Sequence, residues 1–134
     1  MTDAIRVAIV DDHLIVRQGM REYLAQFADI QWVGDAADGV AGLALVEATP
    51  VDVLLLDLAM PKKNGLELLP EVRARYPATQ VVVLSGYPGS HYAEETKRLG
   101  AAAYLHKECE PLAIVDAIRT AAGRGTPANE PRFT

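Results

Sequence analysis

The chain has 134 residues, half of them hydrophobic and 23% charged, with a formal net charge of -5 at pH 7. That size fits one domain with its own core, and the composition excludes a disordered or collagen-like chain. The negative balance argues against a direct electrostatic grip on nucleic acid, and the single cysteine, Cys109, excludes an intrachain disulfide.

The first predicted element is a strand over 5–10, an apolar run closed by Asp11 and Asp12. A helix is expected over 13–27, with Leu14, Met20, Tyr23, Leu24 and Phe27 on one face and Arg17, Arg21 and Glu22 on the other, polar one. Further strands over 32–36, 53–56, 81–84 and 102–105 alternate with helices over 39–48, 65–76, 90–99 and 111–122. The strand runs are mostly continuous Val, Leu and Ile rather than alternating, as in a parallel sheet covered on both faces. The expected fold class is therefore α/β: a doubly wound five-stranded parallel sheet, (βα)5 and flavodoxin-like, with strand order 2-1-3-4-5. Its functional crevice would lie outside the carboxyl ends of strands one and three.

Local chemistry marks the helix boundaries. Asn64 followed by Glu67 resembles a capping box, Pro111 suits a first helical turn, and Gly100 and Gly123 suit helix stops. Pro70 falls inside the third helix, where a bend is expected rather than a break. Periodicity is lost after Gly123, where Gly125, Pro127 and Pro131 accumulate as in a linker. Residues 1–123 are read as one domain and 124–134 as a linker or tail. No apolar run approaches about 18 residues, and the first six lack a charged-then-apolar signal pattern, so no membrane span is expected and the expected location is cytoplasmic.

Asp11, Asp12 and Asp57 would meet at adjacent strand ends. Like charges a few ångströms apart raise one another's pKa unless a cation compensates, and hard oxygen donors favour Mg2+, with Mn2+ as the alternative. Two carboxylates and one backbone carbonyl would suffice. An aspartate can also attack a phosphoryl group to give an acyl phosphate, helped by a metal, a lysine and a small hydroxyl donor. Lys107 and Ser85, at the ends of two further runs, supply the last two. Taken singly they read as a solvated charge and a turn former; their joint placement at strand ends gives them weight. His13, His91 and His106 lack ligand spacing, and no metal role is expected for them. Cys109 reads as a loop thiol, and Trp32, Tyr76 and Tyr92 as packing or surface residues.

On these residues the chain resembles the receiver domain of two-component response regulators over about residues 5–122. The resemblance is carried by Asp11-Asp12, Asp57-Leu58-Ala59-Met60-Pro61, Asn64-Gly65, Ser85-Gly86 and Tyr104-Leu105-His106-Lys107. Val10-Asp11-Asp12-His13 with Val16-Arg17, and Gly100-Ala101-Ala102-Ala103-Tyr104, are similar to the NarL/FixJ branch, whose usual output is a LuxR-type helix-turn-helix. The resemblance implies that Asp57 accepts a phosphoryl group from a sensor histidine kinase. It implies Mg2+ held by Asp12, Asp57 and the Ala59 backbone carbonyl, with Asp11 acting through water. Lys107 would pair with phosphoryl oxygens, Ser85 would move to hydrogen-bond them, and Tyr104 would turn inward behind Ser85. Pro61 and Gly65 would shape the loop after Asp57. A phosphorylation-dependent homodimer is implied as well, with DNA bound only through an output domain outside this sequence, in a longer parent chain, and transcription as the controlled output.

Lys62 and Lys63 depart from the family pattern and could steer a phosphate donor, while Ala59 and Tyr87 occupy positions that influence acyl-phosphate lifetime. Other readings fit less of the chain. An aspartyl-nucleophile phosphohydrolase would place a second aspartate where Ala59 stands, and a nucleotide- or flavin-binding domain would want a Gly-rich first turn instead of Asp11-Asp12-His13. A receiver-like interaction module that is never phosphorylated is the remaining alternative. One charge-assisted hydrogen bond from Ser85 contributes roughly 1.5–3 kcal/mol, against about 5.5 kcal/mol for a nearly complete two-state shift. Lys107, Tyr104 and a changed oligomeric interface are expected to share the rest.

Overall fold

Largely apolar strand runs must be covered on both faces, and the chain achieves this by pairing them in one sheet and packing helices on each side. The computed structural model describes residues 3–58, 64–86 and 90–124, the side chains of Ser90 and His91 excepted. In chain order the elements are β1 (Ile5–Val10), α1 (Leu14–Leu24), β2 (Ile30–Ala36), α2 (Gly39–Ala48), β3 (Val53–Asp57), α3 (Gly65–Arg75), β4 (Gln80–Ser85), α4 (Ser90–Arg98), β5 (Ala103–His106) and α5 (Pro111–Ala121). The five strands are all parallel in the order β2-β1-β3-β4-β5, the fold class and order read from the sequence.

Strand alternation divides the core in two. Ala8, Val10, Leu54, Leu56, Val81, Val83 and Tyr104 pack with Val46, Leu68, Val72 and Ala93 from α2, α3 and α4. Ile5, Val7, Ile9, Val53, Leu55, Val82, Leu84 and Leu105 pack with Leu24 of α1 and Ile114, Val115 and Ile118 of α5. Each fully buried aliphatic side chain contributes about 1.5–3 kcal/mol, so the sheet is a firm platform for whatever its ends carry.

The boundaries show where tertiary forces overrode the sequence pattern. Helix α1 stops at Leu24 rather than Phe27, because Gln26 and Phe27 turn back in tight bonds to the carbonyls of Tyr23 and Leu24. Phe27 still reaches the core edge, its ring 5.3 Å from Tyr23 in an edge-on contact. Leu14, read as a core-facing residue, is instead 54% exposed. Strand β2 begins two residues earlier than expected, since Ile30 and Gln31 pair with Ile5 and Arg6. It also carries a bulge: Val7 pairs with Trp32 but Ala8 with Gly34, leaving Val33 as the extra residue.

Helix α3 runs through Pro70 unbroken, and its capping box is complete: Asn64 Oδ1 accepts from the Glu67 amide at 3.0 Å, and Glu67 Oε1 from the Asn64 amide at 3.4 Å. A Cβ at Gly65 would stand 2.4 Å from the Asp57 carbonyl oxygen, so only glycine lets α3 start this close to the end of β3. Gly100 and Gly123 end α4 and α5 with φ of 106° and 78°. No helix among the described residues is long and apolar enough to cross a membrane.

Candidate functional site at the carboxyl end of the sheet

The ends of β1, β3, β4 and β5 all point to one side, and each delivers a polar residue there. Asp11 follows β1 directly. Its amide donates to the Ala36 carbonyl at 3.0 Å, which continues the β1–β2 ladder by one step. Asp57 is the last residue of β3 and pairs in register with Leu84. Ser85 closes β4, and the Lys107 amide donates to its carbonyl at 2.8 Å, so the backbone carrying Lys107 is fixed to the end of β4.

The sheet thereby gathers charges that water would normally keep apart. Asp11 and Asp57 are buried, with 1% and 3% of their surfaces exposed, whereas Asp12 is exposed. Ligand atoms of Asp11, Asp12, His13 and Asp57 all lie within 4.8 Å of one another. Lys107 Nζ lies 2.9 Å from Asp11 Oδ2 and 3.3 Å from Asp57 Oδ2, bridging the two buried carboxylates. Burial alone would pull the Lys107 pKa down, but its hydrogen bond to Asp11 and the charges of Asp11 and Asp57 outweigh this, and the net shift is upward. The second oxygen of Asp11 accepts from the His13 amide at 2.8 Å and contacts His13 Nδ1 at 3.0 Å. His13 Nδ1 also lies 3.1 Å from Asp12 Oδ1.

The structure thus brings together Asp11, Asp12, Asp57 and Lys107, as the strand-end reading required. It adds His13, whose ring closes on both leading aspartates through local backbone geometry that residue spacing does not encode. Ser85 and Tyr104 are both fully buried. Tyr104 already sits inward, within the core shared with α3 and α4. Ala59, Pro61, Lys62, Lys63 and Tyr87 lie outside the described residues.

Arg17 is a residue the sequence pattern misplaced. The amphipathic pattern puts it on the polar face of α1, yet its side chain is only 15% exposed. Its Nη1 donates to the Asp11 carbonyl at 2.8 Å and its Nε to Asp35 Oδ2 at 3.2 Å. The signal for it was spacing alone: an arginine six residues after Asp11 lies near the N-terminus of a helix that starts beside it.

As a donor set the cluster is made chiefly of hard carboxylate oxygens, two buried and one open to solvent, which suits a small divalent cation that keeps part of its water shell. Lys107, held between two carboxylates, can also stabilise an added anion.

Comparison with known proteins gives the same direction. The family model for the response regulator receiver domain matches residues 7–119. The chain is 36% identical over 121 residues to the transcriptional regulatory protein DegU of Brevibacillus brevis, covering 90% of this chain and 51% of that protein. It is 34% identical over 116 residues to the nitrate/nitrite response regulator protein NarL of Escherichia coli K12, covering 87% and 54%. The chain spans about half the length of the curated relatives it matches. Among solved structures, the signal receiver domain of a NarL response regulator from Mycobacterium tuberculosis superposes with a TM-score of 0.85 at 32% identity, covering 91% of this chain and 98% of that one.

Proposed function

The chain belongs to the response regulator receiver domain family, on the NarL-like branch with its LuxR-type outputs, and on that premise we propose that Asp57 is the phosphoryl acceptor of a phosphorylation-activated switch. The single observation that carries the reading is the Lys107 ammonium bridging buried Asp11 and Asp57 at 2.9 and 3.3 Å. A structural lysine needs one partner; one that spans two carboxylates at a sheet edge is placed to receive a third anion.

In this reading a carboxylate oxygen of Asp57 attacks the phosphorus of a phosphohistidine on a sensor histidine kinase. The new P–O bond forms as the P–N bond breaks, and the electron pair returns to the imidazole, which takes a proton from solvent. Lys107 turns from bridging two carboxylates to holding the phosphoryl oxygens. Mg2+ (or Mn2+), when bound, would neutralise the charge that accumulates on those oxygens. Asp12 and Asp57 would hold it, with the Ala59 backbone carbonyl as a third protein donor. Asp11 would act through water, because its own oxygens are engaged by Lys107 and the His13 amide.

Ser85 would hydrogen-bond the phosphoryl group, and Tyr104 would report its arrival. Tyr104 is fully buried beside the core of α3 and α4 before any phosphoryl group is added, so in this reading it is the contact between Ser85 and the phosphoryl group that changes. The output, a change of transcription, is supported by the transcriptional regulators to which the chain is similar; a helix-turn-helix domain beyond a linker at about 124–134 is what the resemblance to this branch implies for it. A sensor kinase and a phosphorylation-dependent second copy of the chain are the partners this reading requires, and the cytoplasm is where it places them.

The test is incubation with Mg2+ and acetyl phosphate followed by intact mass. The expected result is a single phosphate adduct that is absent in Asp57→Asn. Continuous phosphate release at enzymatic rates would instead favour the phosphohydrolase, and absence of an adduct at saturating donor would favour an unphosphorylated interaction module.

A further inference from the structure

Resting on the proposed metal site, we infer that Arg17 and Asp35 form a positioning clamp that sets the direction of Asp12. The carbonyl of Asp11 belongs to the peptide plane joining Asp11 to Asp12. Whatever fixes that oxygen fixes the plane from which Asp12 departs. Arg17 Nη1 donates to it at 2.8 Å, and the Asp11 amide is already held by the Ala36 carbonyl at 3.0 Å. The main-chain groups on both sides of the Asp11 Cα are therefore tied, one to β2 and the other to α1.

Asp35 in turn holds Arg17, through Nε to Oδ2 at 3.2 Å. Its side chain reaches α1 because of the bulge in β2. Trp32 packs on the α1 side of the sheet and Val33 on the α2 side. Strict alternation would return residue 34 to the α1 side. Instead, a Cβ at Gly34 would meet Leu45 of α2 at 2.8 Å, so residues 33 and 34 both face α2 and the alternation resumes one residue late. Asp35 then faces α1 and Ala36 returns to the α2 side. A bulge that re-aims one side chain beside a site is a purposeful departure from the ladder. Here it aims a carboxylate at the guanidinium that grips the turn carrying the metal ligands.

Asp12 needs such support because it is the exposed member of the set, its side chain 32% accessible, and among the described contacts only His13 touches it. Groups that orient a ligand without touching the metal typically change metal affinity by about 10–100-fold when removed. The clamp is therefore expected to act on metal affinity, with little effect on the rate at which a metal-saturated site takes up phosphate.

The experiment titrates Mn2+ against the 134-residue chain, following free ion by electron paramagnetic resonance. Wild type is compared with Asp12→Asn, Arg17→Gln, Arg17→Lys and Asp35→Asn, and thermal melts check that each is folded. Arg17→Gln is expected to weaken binding about 10-fold or more. Arg17→Lys should recover part of the loss, because an ammonium can reach the Asp11 carbonyl but lacks the second arm for Asp35. Asp35→Asn should weaken binding by a smaller factor, roughly threefold, and it carries the test if Arg17→Gln does not fold. Adduct formation from acetyl phosphate at saturating Mg2+ should change by less than about threefold in Arg17→Gln, while the Mg2+ concentration for half-maximal rate rises in step with the Mn2+ result. If the Arg17 and Asp35 variants bind Mn2+ as wild type does while Asp12→Asn does not, the clamp is wrong and the metal site stands. If Asp12→Asn also binds as wild type, the metal site is wrong and the clamp falls with it.

Discussion

The two ends of the sheet handle the same kinds of charge in opposite ways. At the amino end, Arg6 grips Asp52 with side-chain hydrogen bonds of 3.0 and 2.9 Å, and Arg119 grips Asp29 with bonds of 2.8 and 3.0 Å. Asp52 and Asp29 there each have a guanidinium of their own, and those charges cancel pair by pair. At the carboxyl end one ammonium, Lys107, serves both buried carboxylates of a cluster of three. The amino end is complete as it stands and holds β1, β3 and the α1–β2 turn to their neighbours. Among the described residues the carboxyl-end cluster sets three carboxylates against one ammonium, an excess of negative charge that costs stability and that a divalent cation would relieve.

The largest way to break this comparison is to remove the shared cation. Lys107→Met leaves Asp11 and Asp57 buried without their common partner, and losing one member of a buried ion pair is expected to destabilise the fold by up to about 3 kcal/mol in denaturant unfolding. Because the cost comes from uncompensated carboxylates, Mg2+ should restore part of it. A variant as stable as wild type in chelator would mean that Lys107 is not balancing the cluster.

Removing a carboxylate instead should give opposite signs at the two ends. Asp57→Asn leaves Lys107 with Asp11 alone, so without metal its stability is expected to hold or to rise by as much as about 1 kcal/mol, seen as a melting point unchanged or a few degrees higher. Asp29→Asn removes one half of a bidentate pair that is partly open to solvent, and is expected to lower stability by no more than about 1 kcal/mol. Asp52→Asn should change in the same direction as Asp29→Asn. A loss in Asp57→Asn equal to that in Asp29→Asn would erase the distinction between the ends.

The sequence carried the carboxyl end better than the amino end. A parallel strand is a continuous apolar run, so the first polar residue after it marks where the chain leaves the sheet, and Asp11, Asp57, Ser85 and Lys107 could be read there. The order of the strands, the capping at Asn64 and the stops at Gly100 and Gly123 were legible for similar local reasons. The pairs at the amino end join residues 46 and 90 positions apart, and no local pattern encodes such a pairing. Arg17 and Asp35 escaped for a second reason: the bulge at Val33 shifts the alternation of β2 by one residue, and a pattern of period two has no means of announcing its own interruption. Which side of Asp11-Asp12 is buried depends on where Lys107 arrives from β5, so the near-complete burial of Asp11 beside exposed Asp12 is a tertiary fact.

The smallest effect expected is in the pH dependence, and it separates the two ends by sign. The hydrogen bond from Arg119 holds the Asp29 carboxyl below its ordinary range, and that from Arg6 does the same for Asp52. A carboxyl depressed in the folded state contributes stability above its unfolded pKa of about 3.9, and loses it as pH falls through the folded value. The gap in stability between wild type and Asp29→Asn should therefore be constant from neutral pH down to about 4 and close below it. Lys107 is shifted upward, with burial opposing and Asp11 and Asp57 prevailing. Its contribution is complete below the unfolded value of about 10.4 and is lost as pH rises through the folded one. The gap between wild type and Lys107→Met in chelator should thus persist through neutral pH and begin to narrow only above about pH 10. Urea unfolding from pH 3 to 11 reads both gaps. If the Asp29 gap narrowed on the alkaline side, or the Lys107 gap narrowed between neutral pH and about 10, the assignment of self-balanced pairs to one end and a shared cation to the other would be wrong.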